Sequence, residues 1–152
     1  MKWIAAAAAL ALFPSALHAQ DKKIVIPQDE DARDFFEKYG FAEAVVVGDT
    51  AWLSGVVAGE SEGVTLEQSL GYTFKYAGDV LERAGFSWDD VVDITTYHVD
   101  LPASIEAVAE AKKRHIPAAT HAWTAIDVDR LYPDSGLVEI KITARRMGGD
   151  DE

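Results

Sequence analysis

The stretch TLEQSLGYTFKYAGDVLERAGFSWDDVVDITTYHV, residues 65–99, decides the fold because a helix pattern runs directly into a strand pattern. Thr65 and Gln68 form a capping box, which is typical of a helix start. Apolar residues then recur every three or four positions until Gly85, a residue that favours a helix end. Residues 91–99 are rich in Val, Ile, Thr and Tyr, which favour strands. The stretch therefore predicts a helix followed by a strand.

The segments on either side predict the remaining helices and strands of one domain. They are a short strand over residues 23–26, a helix over 29–39 with Phe35 and Phe36 as its apolar patch, a hairpin over 44–57, a helix over 103–115, and strands over 122–129 and 137–144. This order predicts an α+β sandwich with two helices on one face of a mixed sheet. A sheet covered on one face leaves its other face to water or to another subunit.

The last two strands assign residues to the two faces of the sheet, because successive side chains of a strand point in opposite directions. The face predicted to lie under the helices comprises Ala122, Thr124, Ile126 and Val128 in the first strand and Val138, Ile140, Ile142 and Ala144 in the second. Trp123 and Glu139 are predicted to share the uncovered face, where a large indole favours contact with another subunit. A carboxylate and an indole would then line one cleft. The alternative is that Trp123 only anchors an interface and Glu139 pairs with a Lys or Arg across the sheet.

The composition of the chain bounds its class of function. The chain has 152 residues, of which 49% are hydrophobic and 26% charged, so it can bury a core and is predicted to form one domain. Its 14 basic and 26 acidic residues give a net charge of -12, which disfavours nucleic acid as a partner. The chain has no cysteine, and its histidines fit no metal-ligand spacing, so neither a metal nor a cofactor is predicted.

The N-terminal residues have the pattern of a signal peptide. Lys2 supplies a positive start, an apolar run continues to Phe13, and Ala19 fits the cleavage point. A run of about ten residues is roughly half of the ~20 that span a membrane, which disfavours the alternative of an anchor. The sequence therefore predicts a signal peptide at residues 1–19 and a single domain at residues 20–152. The mature protein is expected to be periplasmic or secreted, and not bound to a membrane after cleavage.

Four motifs follow one another across most of the chain. They are AWLSG at residues 51–55, LERAG at 81–85, VVDITTYHVDL at 91–101, and Arg130-Leu131 followed by GLVEI at 136–140. Together they resemble the RidA/YjgF family of enamine and imine deaminases over residues 41–145. The resemblance implies a chorismate-mutase-like α+β fold and a homotrimer with the sheets facing inward and three clefts between neighbouring subunits. It also implies a small imino or enamino acid as the ligand, with no metal or organic cofactor.

The resemblance assigns Glu139 a catalytic role, because it matches the strand glutamate that holds the reacting water or the substrate nitrogen. The family arginine that binds the substrate carboxylate corresponds to Trp123. An indole offers one neutral N–H in place of two charged donors, so binding of an anionic imine should fall roughly 10- to 150-fold. The other positions carried over to substrate binding are Ser54 and Gly55, which match a serine and a glycine of the family cleft, Phe41, which stands where a tyrosine is common, and Thr124, which follows Trp123 in the matching stretch.

Two functions remain open from the sequence. The first is a trimeric small-molecule-binding protein with clefts between subunits, whose ligand is not a simple anionic 2-imino acid. The alternative is an enamine or imine deaminase of altered specificity, in which Glu139 orients water and Trp123 stacks on a flat or cationic imine. Ribonuclease activity, which is sometimes attached to this family, is disfavoured by the net charge of -12.

Overall fold

The computed structural model describes residues 21–147 of the chain. The predicted signal peptide at residues 1–19 lies outside the described residues and stays a prediction. The order of elements is β1 (Lys22–Val25), α1 (Glu30–Tyr39), β2 (Ala44–Val47), β3 (Thr50–Leu53), β4 (Val56–Gly59), α2 (Leu66–Ala84), β5 (Val91–His98), α3 (Leu101–Lys113), β6 (Ala122–Asp127) and β7 (Gly136–Arg145). Within the described part of the chain, none of the helices has the length and apolarity that a membrane span requires.

Local sequence accounts for the ends of the first two helices. Asp29 caps the first turn of α1, and Gly40 ends the helix with a φ of 69°. Thr65 and Gln68 form the predicted capping box of α2, and Gly85 ends that helix with a φ of 93°. Both glycines adopt the left-handed conformation, which a side chain would make costly. The predicted helices are confirmed at these positions.

One mixed sheet of seven strands forms the centre of the fold. Its order is β1-β2-β3-β7-β5-β6, and β4 also pairs with β7. β5 and β6 run parallel, and the other paired strands are antiparallel. α2 and α3 cover one face of the sheet, and the hydrophobic core lies between these helices and the strands. The predicted α+β class is confirmed, with α2 and α3 as the two helices on one face, and the helix predicted over residues 29–39 is present as α1.

The second arm of the predicted hairpin is broken into β3 and β4. Trp52 of β3 pairs with Thr143, whereas Val56 of β4 pairs with Ile140. Trp52 and Val56 are four positions apart, whereas their partners Thr143 and Ile140 are only three positions apart on β7. One extra residue of this kind is a β-bulge, which bends a strand and is frequent next to functional sites.

Burial confirms the predicted faces of β7 but reverses those of β6. In β7 alternate residues are buried, and Glu139 belongs to the other set. In β6, Trp123 and Ala125 are partly buried, while Thr124 and Ile126 are exposed. The prediction that Thr124 and Ile126 lie under the helices was wrong.

Trp123 lies beneath α3 and not on the uncovered face where it was predicted. It pairs with Ile94, which is completely buried, and directly paired residues share a face. Its ring packs against the core, and Lys112 Nζ of α3 lies 4.9 Å from the ring centroid. Its Nε1 donates a hydrogen bond to Thr96 Oγ1 at 3.0 Å. The prediction that Trp123 and Glu139 line one cleft was therefore wrong.

The large area of the indole explains why β6 has the opposite orientation. A ring of this size buries about 150–250 Å² of surface, more than the threonine or alanine side chains that alternate with it. β6 is also the last strand of the sheet, and its face away from the helices is exposed. Ile126 accordingly remains 39% exposed.

A chain of buried polar groups connects Trp123 to α3. Thr96 Oγ1 lies 2.8 Å from His98 Nε2, and His98 Nδ1 lies 2.6 Å from Ser104 Oγ. The Ser104 hydroxyl donates to the carbonyl of Asp100 at 2.6 Å, so it accepts from Nδ1–H of His98 while Nε2 accepts from Thr96. These bonds suit a neutral imidazole, and burial lowers the pKa of His98 below its ordinary value.

We expect the protein to lose stability as the pH falls below about 6.5, the ordinary pKa of histidine. Because the pKa of His98 is lower in the folded than in the unfolded state, the unfolded chain binds more protons between the two pKa values. The contribution of His98 is complete above the unfolded pKa and is lost as the pH falls toward the folded one. His98→Gln should reduce this loss, as measured by urea unfolding at each pH. An equal loss in both proteins would contradict the assignment.

Candidate functional site

Gly55 and Glu139 meet at the break between β3 and β4. A Cβ atom on Gly55 would lie 1.8 Å from Glu139 Oε1 and 2.5 Å from its Cδ, so a glycine is needed to leave room for this carboxylate. Glu139 is half-buried and pairs with Val57 on one side and with Tyr97 on the other. It forms no salt bridge with any residue that the structure describes. The alternative of a Lys or Arg partner across the sheet is therefore not observed among these residues.

Ser54 is fixed beside this carboxylate by the backbone. Its N–H donates to the carbonyl of Glu43 at 2.8 Å, and its hydroxyl donates to the carbonyl of Ala42 at 2.6 Å. A serine hydroxyl that donates to a backbone carbonyl has no base to activate it as a nucleophile. Its oxygen can still accept a hydrogen bond, so Ser54 is suited to binding a ligand.

A buried ion-pair network fixes Glu43, whose carbonyl binds the N–H of Ser54. Glu43 is 3% exposed, and its carboxylate accepts hydrogen bonds from the Tyr76 hydroxyl and from Arg83 Nη1. Arg83 Nη1 also donates to the carbonyl of Ile26 at 2.9 Å, which connects α2 to the segment after β1. Burial, with the hydrogen bond to Glu43, raises the pKa of Tyr76, and the hydrogen bond to Glu43 raises the pKa of Arg83. The tyrosine thus stays protonated and the arginine charged.

Two cavities meet at Glu139, Ser54 and Gly55. The first has a volume of about 470 Å³, and we call it the polar cavity because Lys141 lines it beside Glu139 on the same face of β7. Its other walls are Val45, Trp52, Leu53, Tyr97 and Leu131. Among the described residues, Lys141 is the one cationic side chain that lines either cavity.

The second cavity has a volume of about 670 Å³, and we call it the aromatic cavity because it is lined by six Phe and Tyr residues. They are Phe35, Phe36, Tyr39, Phe41, Tyr76 and Tyr132. Cavities of this size that combine apolar walls with a few polar groups are typical of small-molecule sites. Within residues 21–147, no group of three or more His, Asp or Glu side chains is arranged to hold a metal ion.

The structure brings four of the six predicted site residues together. Those that line the aromatic cavity are Phe41, Ser54, Gly55 and Glu139. Trp123 and Thr124 line neither cavity, because Trp123 lies beneath α3 and Thr124 is exposed on β6. The chemical roles of all six residues stay predictions.

Sequence reasoning missed Lys141 and the network beneath Ser54. Glu43 is separated from Tyr76 by 33 positions and from Arg83 by 40, so no local pattern connects them. The available signal is that Tyr76 and Arg83 lie seven positions apart in α2, which puts both on one side of the helix. Tyr76 and Arg83 can therefore donate to the same buried carboxylate, which in the structure is that of Glu43.

Comparison with known proteins identifies the family. The sequence profile described as endoribonuclease L-PSP matches residues 36–146. The RutC family protein YjgH of Escherichia coli strain K12 is 28% identical over 115 residues, which are 72% of this chain and 86% of YjgH. The chain belongs to the RidA/YjgF family. The profile match begins within α1.

Solved structures of RidA/YjgF proteins share the fold. Rv2704 of Mycobacterium tuberculosis, a member of the YjgF/YER057c/UK114 family, has a TM-score of 0.71 at 21% identity, covering 83% of this chain and 100% of Rv2704. RidA from the Antarctic bacterium Psychrobacter sp. PAMC 21119 has a TM-score of 0.60 at 26% identity, covering 70% of this chain and 88% of that RidA. The fold implied by the resemblance is confirmed.

Proposed function

We propose that the protein is a homotrimer that binds a small organic molecule at Ser54, Gly55 and Glu139, in clefts between neighbouring subunits. The observation that carries this proposal is the convergence of these three residues on two adjoining cavities. They come from β7 and from the break between β3 and β4, which lie far apart in the sequence. Membership of the RidA/YjgF family supports the same interpretation.

The uncovered face of the sheet supports contact with other subunits. Ile24, Trp52 and Ile126 lie on this face and are 46%, 44% and 39% exposed. Large apolar side chains spread over a sheet face without helices favour burial against another copy of the chain. Glu139, which lines both cavities, also lies on this face.

Charge disfavours a simple anionic 2-imino acid as the ligand. Among the described residues, no arginine lines either cavity. The ammonium of Lys141 lacks the two parallel N–H donors with which an arginine holds a carboxylate. Glu139 lies on the same face as Lys141 and repels an anion. The proposed ligand is therefore neutral or cationic.

Hydrolysis of an imine or enamine is a second candidate function, and the position of Glu139 favours it. Its carboxylate forms no salt bridge with a described residue and lies against the backbone of Gly55. A carboxylate so placed can accept a proton from water while the water oxygen adds to the C=N carbon. Return of this proton to nitrogen gives a carbinolamine. Its hydroxyl proton then passes to nitrogen through Glu139 as the C–N bond breaks, which gives a carbonyl compound and ammonia or an amine.

Glu139→Gln tests both candidates because it removes the charge and keeps the shape of the side chain. We expect at least a roughly tenfold loss of affinity for fragments that shift the amide NMR signal of Gly55, because a hydrogen bond to a charged group contributes about 1.5–3 kcal/mol. If an imine is hydrolysed, turnover of a neutral or cationic imine, formed from an aldehyde and a primary amine, should fall about 10²- to 10⁴-fold.

Glu106→Gln is the matched control, because Glu106 is exposed on α3 and lines neither cavity. This variant should bind the same fragments as the unaltered protein. The proposed function would be refuted if no fragment from a library of neutral, cationic and anionic compounds shifted the Gly55 signal in the unaltered protein.

A further inference from the structure

Half of the rings in the aromatic cavity come from α1, the helix in which the family match begins. Phe35, Phe36 and Tyr39 belong to this helix. None of its ten residues, all within the described part of the chain, is buried. A helix that leaves its aromatic residues accessible beside a cavity has those rings available to a ligand.

The rings around the cavity are close to one another and still accessible. The Phe35 ring lies nearly parallel to the Tyr132 ring, with 15° between the planes and 6.5 Å between the centroids. The Tyr39 ring lies 4.8 Å from Phe35 and 6.3 Å from Tyr132. Phe35, Tyr39 and Tyr132 are 40%, 53% and 66% exposed. The face of an aromatic ring carries a negative potential that attracts cations.

The charges near these rings also favour a cation. Glu139 lines the cavity and forms no salt bridge with a described residue. Lys38 Nζ lies 5.4 Å from the centroid of the Tyr39 ring, which shows that this ring accepts a cation, although the charge of Lys38 itself repels a second one. The net charge of -12 raises the local concentration of cations around the protein.

We infer that the aromatic cavity binds the cationic part of the ligand, an organic ammonium or iminium group held between the rings of α1, Tyr132 and the Glu139 carboxylate. The inference rests on the proposed function, since it assigns the chemical class of the ligand at the same site. Contact with a neighbouring subunit is the competing role for these rings. Contact between subunits would not explain why Glu139, which forms no salt bridge with a described residue, lines the same cavity.

Three probes that share a phenyl ring and differ in charge test the inference. Benzyltrimethylammonium, benzyl alcohol and benzoate are titrated by calorimetry, and the NMR signal of Gly55 reports whether each one binds at the site. We expect the cation to bind about tenfold more tightly than the alcohol, which corresponds to the cation–π attraction of a partly desolvated site. Benzoate should bind most weakly. Equal affinities for the three probes at Gly55 would overturn the inference and leave the proposed function standing.

Variants of α1 separate the rings from the rest of the site. The double variant Phe35→Leu and Tyr39→Leu keeps apolar side chains and removes two rings, so the preference for the cation should fall to about twofold. Tyr72→Leu is the control, because Tyr72 lies on α2, is 67% exposed and lines neither cavity. Glu139→Gln should weaken binding of the cation more than binding of the alcohol. An unchanged preference in the double variant, or a change in oligomeric state alone, would overturn the inference.

Discussion

Replacement of Arg83 by methionine is expected to lower the free energy of unfolding by about 3 kcal/mol. Arg83 Nη1 lies 2.5 Å from Glu43 Oε2, and Glu43 is 3% exposed. Removal of one partner from a buried pair costs about 3–5 kcal/mol, because the remaining charge is buried without compensation. The Arg83 side chain is itself 23% exposed, which places the expected value at the lower end. Urea unfolding of both proteins measures the difference.

Arg83→Met should also weaken ligand binding at the site formed by Ser54, Gly55 and Glu139. The carbonyl of Glu43 accepts the N–H of Ser54 at 2.8 Å, and its own N–H donates to the carbonyl of Val25 at 2.9 Å. Without Arg83, the Glu43 carboxylate should turn toward water. This movement should shift the backbone of Glu43 and, through their hydrogen bond, Ser54. We therefore expect Arg83→Met to weaken fragment binding at Gly55, although Arg83 lines neither cavity.

Arg130→Met is the matched control for the stability measurement. Arg130 Nη1 lies 3.3 Å from Asp134 Oδ1, but the two side chains are 76% and 82% exposed. Exposed pairs contribute less than about 1 kcal/mol, so this variant should unfold almost like the unaltered protein. Similar losses in Arg83→Met and Arg130→Met would contradict the view that burial of Glu43 sets the cost. Combining Glu43→Gln with Arg83→Met should recover part of the loss, because an amide carries no charge.

Features determined by neighbouring residues could be predicted from the sequence. The start of α2 follows from Thr65 and Gln68, which lie within one turn, and its end follows from Gly85. The faces of β7 could be predicted because its apolar and polar residues alternate along the whole strand. Glu139 and Gly55 were assigned to the site by resemblance, and the structure places them in contact.

Features determined by distant residues could not be predicted in the same way. The orientation of β6 was mispredicted because Trp123 shares its face with Asp127 while the other face carries Thr124 and Ile126, and only the packing of the indole beneath α3 shows that Trp123 decides it. α1 was predicted as a helix, but its place beside Tyr132 depends on a loop almost a hundred residues later. The extra residue between β3 and β4 is visible only once both strands are paired with β7.

Gly55→Ala is expected to weaken the function of the site strongly while the fold remains intact. The new Cβ would lie 1.8 Å from Glu139 Oε1 and 2.8 Å from its Cγ, so the glutamate side chain must turn away. Gly55 is not among the glycines with positive φ, so the backbone accepts an alanine there. A displaced carboxylate attracts a cation less strongly and no longer holds water at the position where the ligand lies. Fragment affinity should fall at least about tenfold, and any imine turnover about a hundredfold, because misplacement of about 1 Å has such effects.

Gly71→Ala provides the control, because a Cβ on this α2 glycine would meet no atom within 4 Å. It should leave ligand binding unchanged and raise the free energy of unfolding by roughly 0.5–1 kcal/mol, the difference between glycine and alanine inside a helix. Calorimetric titration and urea unfolding of the two variants therefore separate a steric effect on Glu139 from a general effect of an added methyl group. Full binding in Gly55→Ala would show that the ligand does not depend on the position of Glu139. A large loss of stability in that variant would show that the backbone yields before the glutamate side chain does.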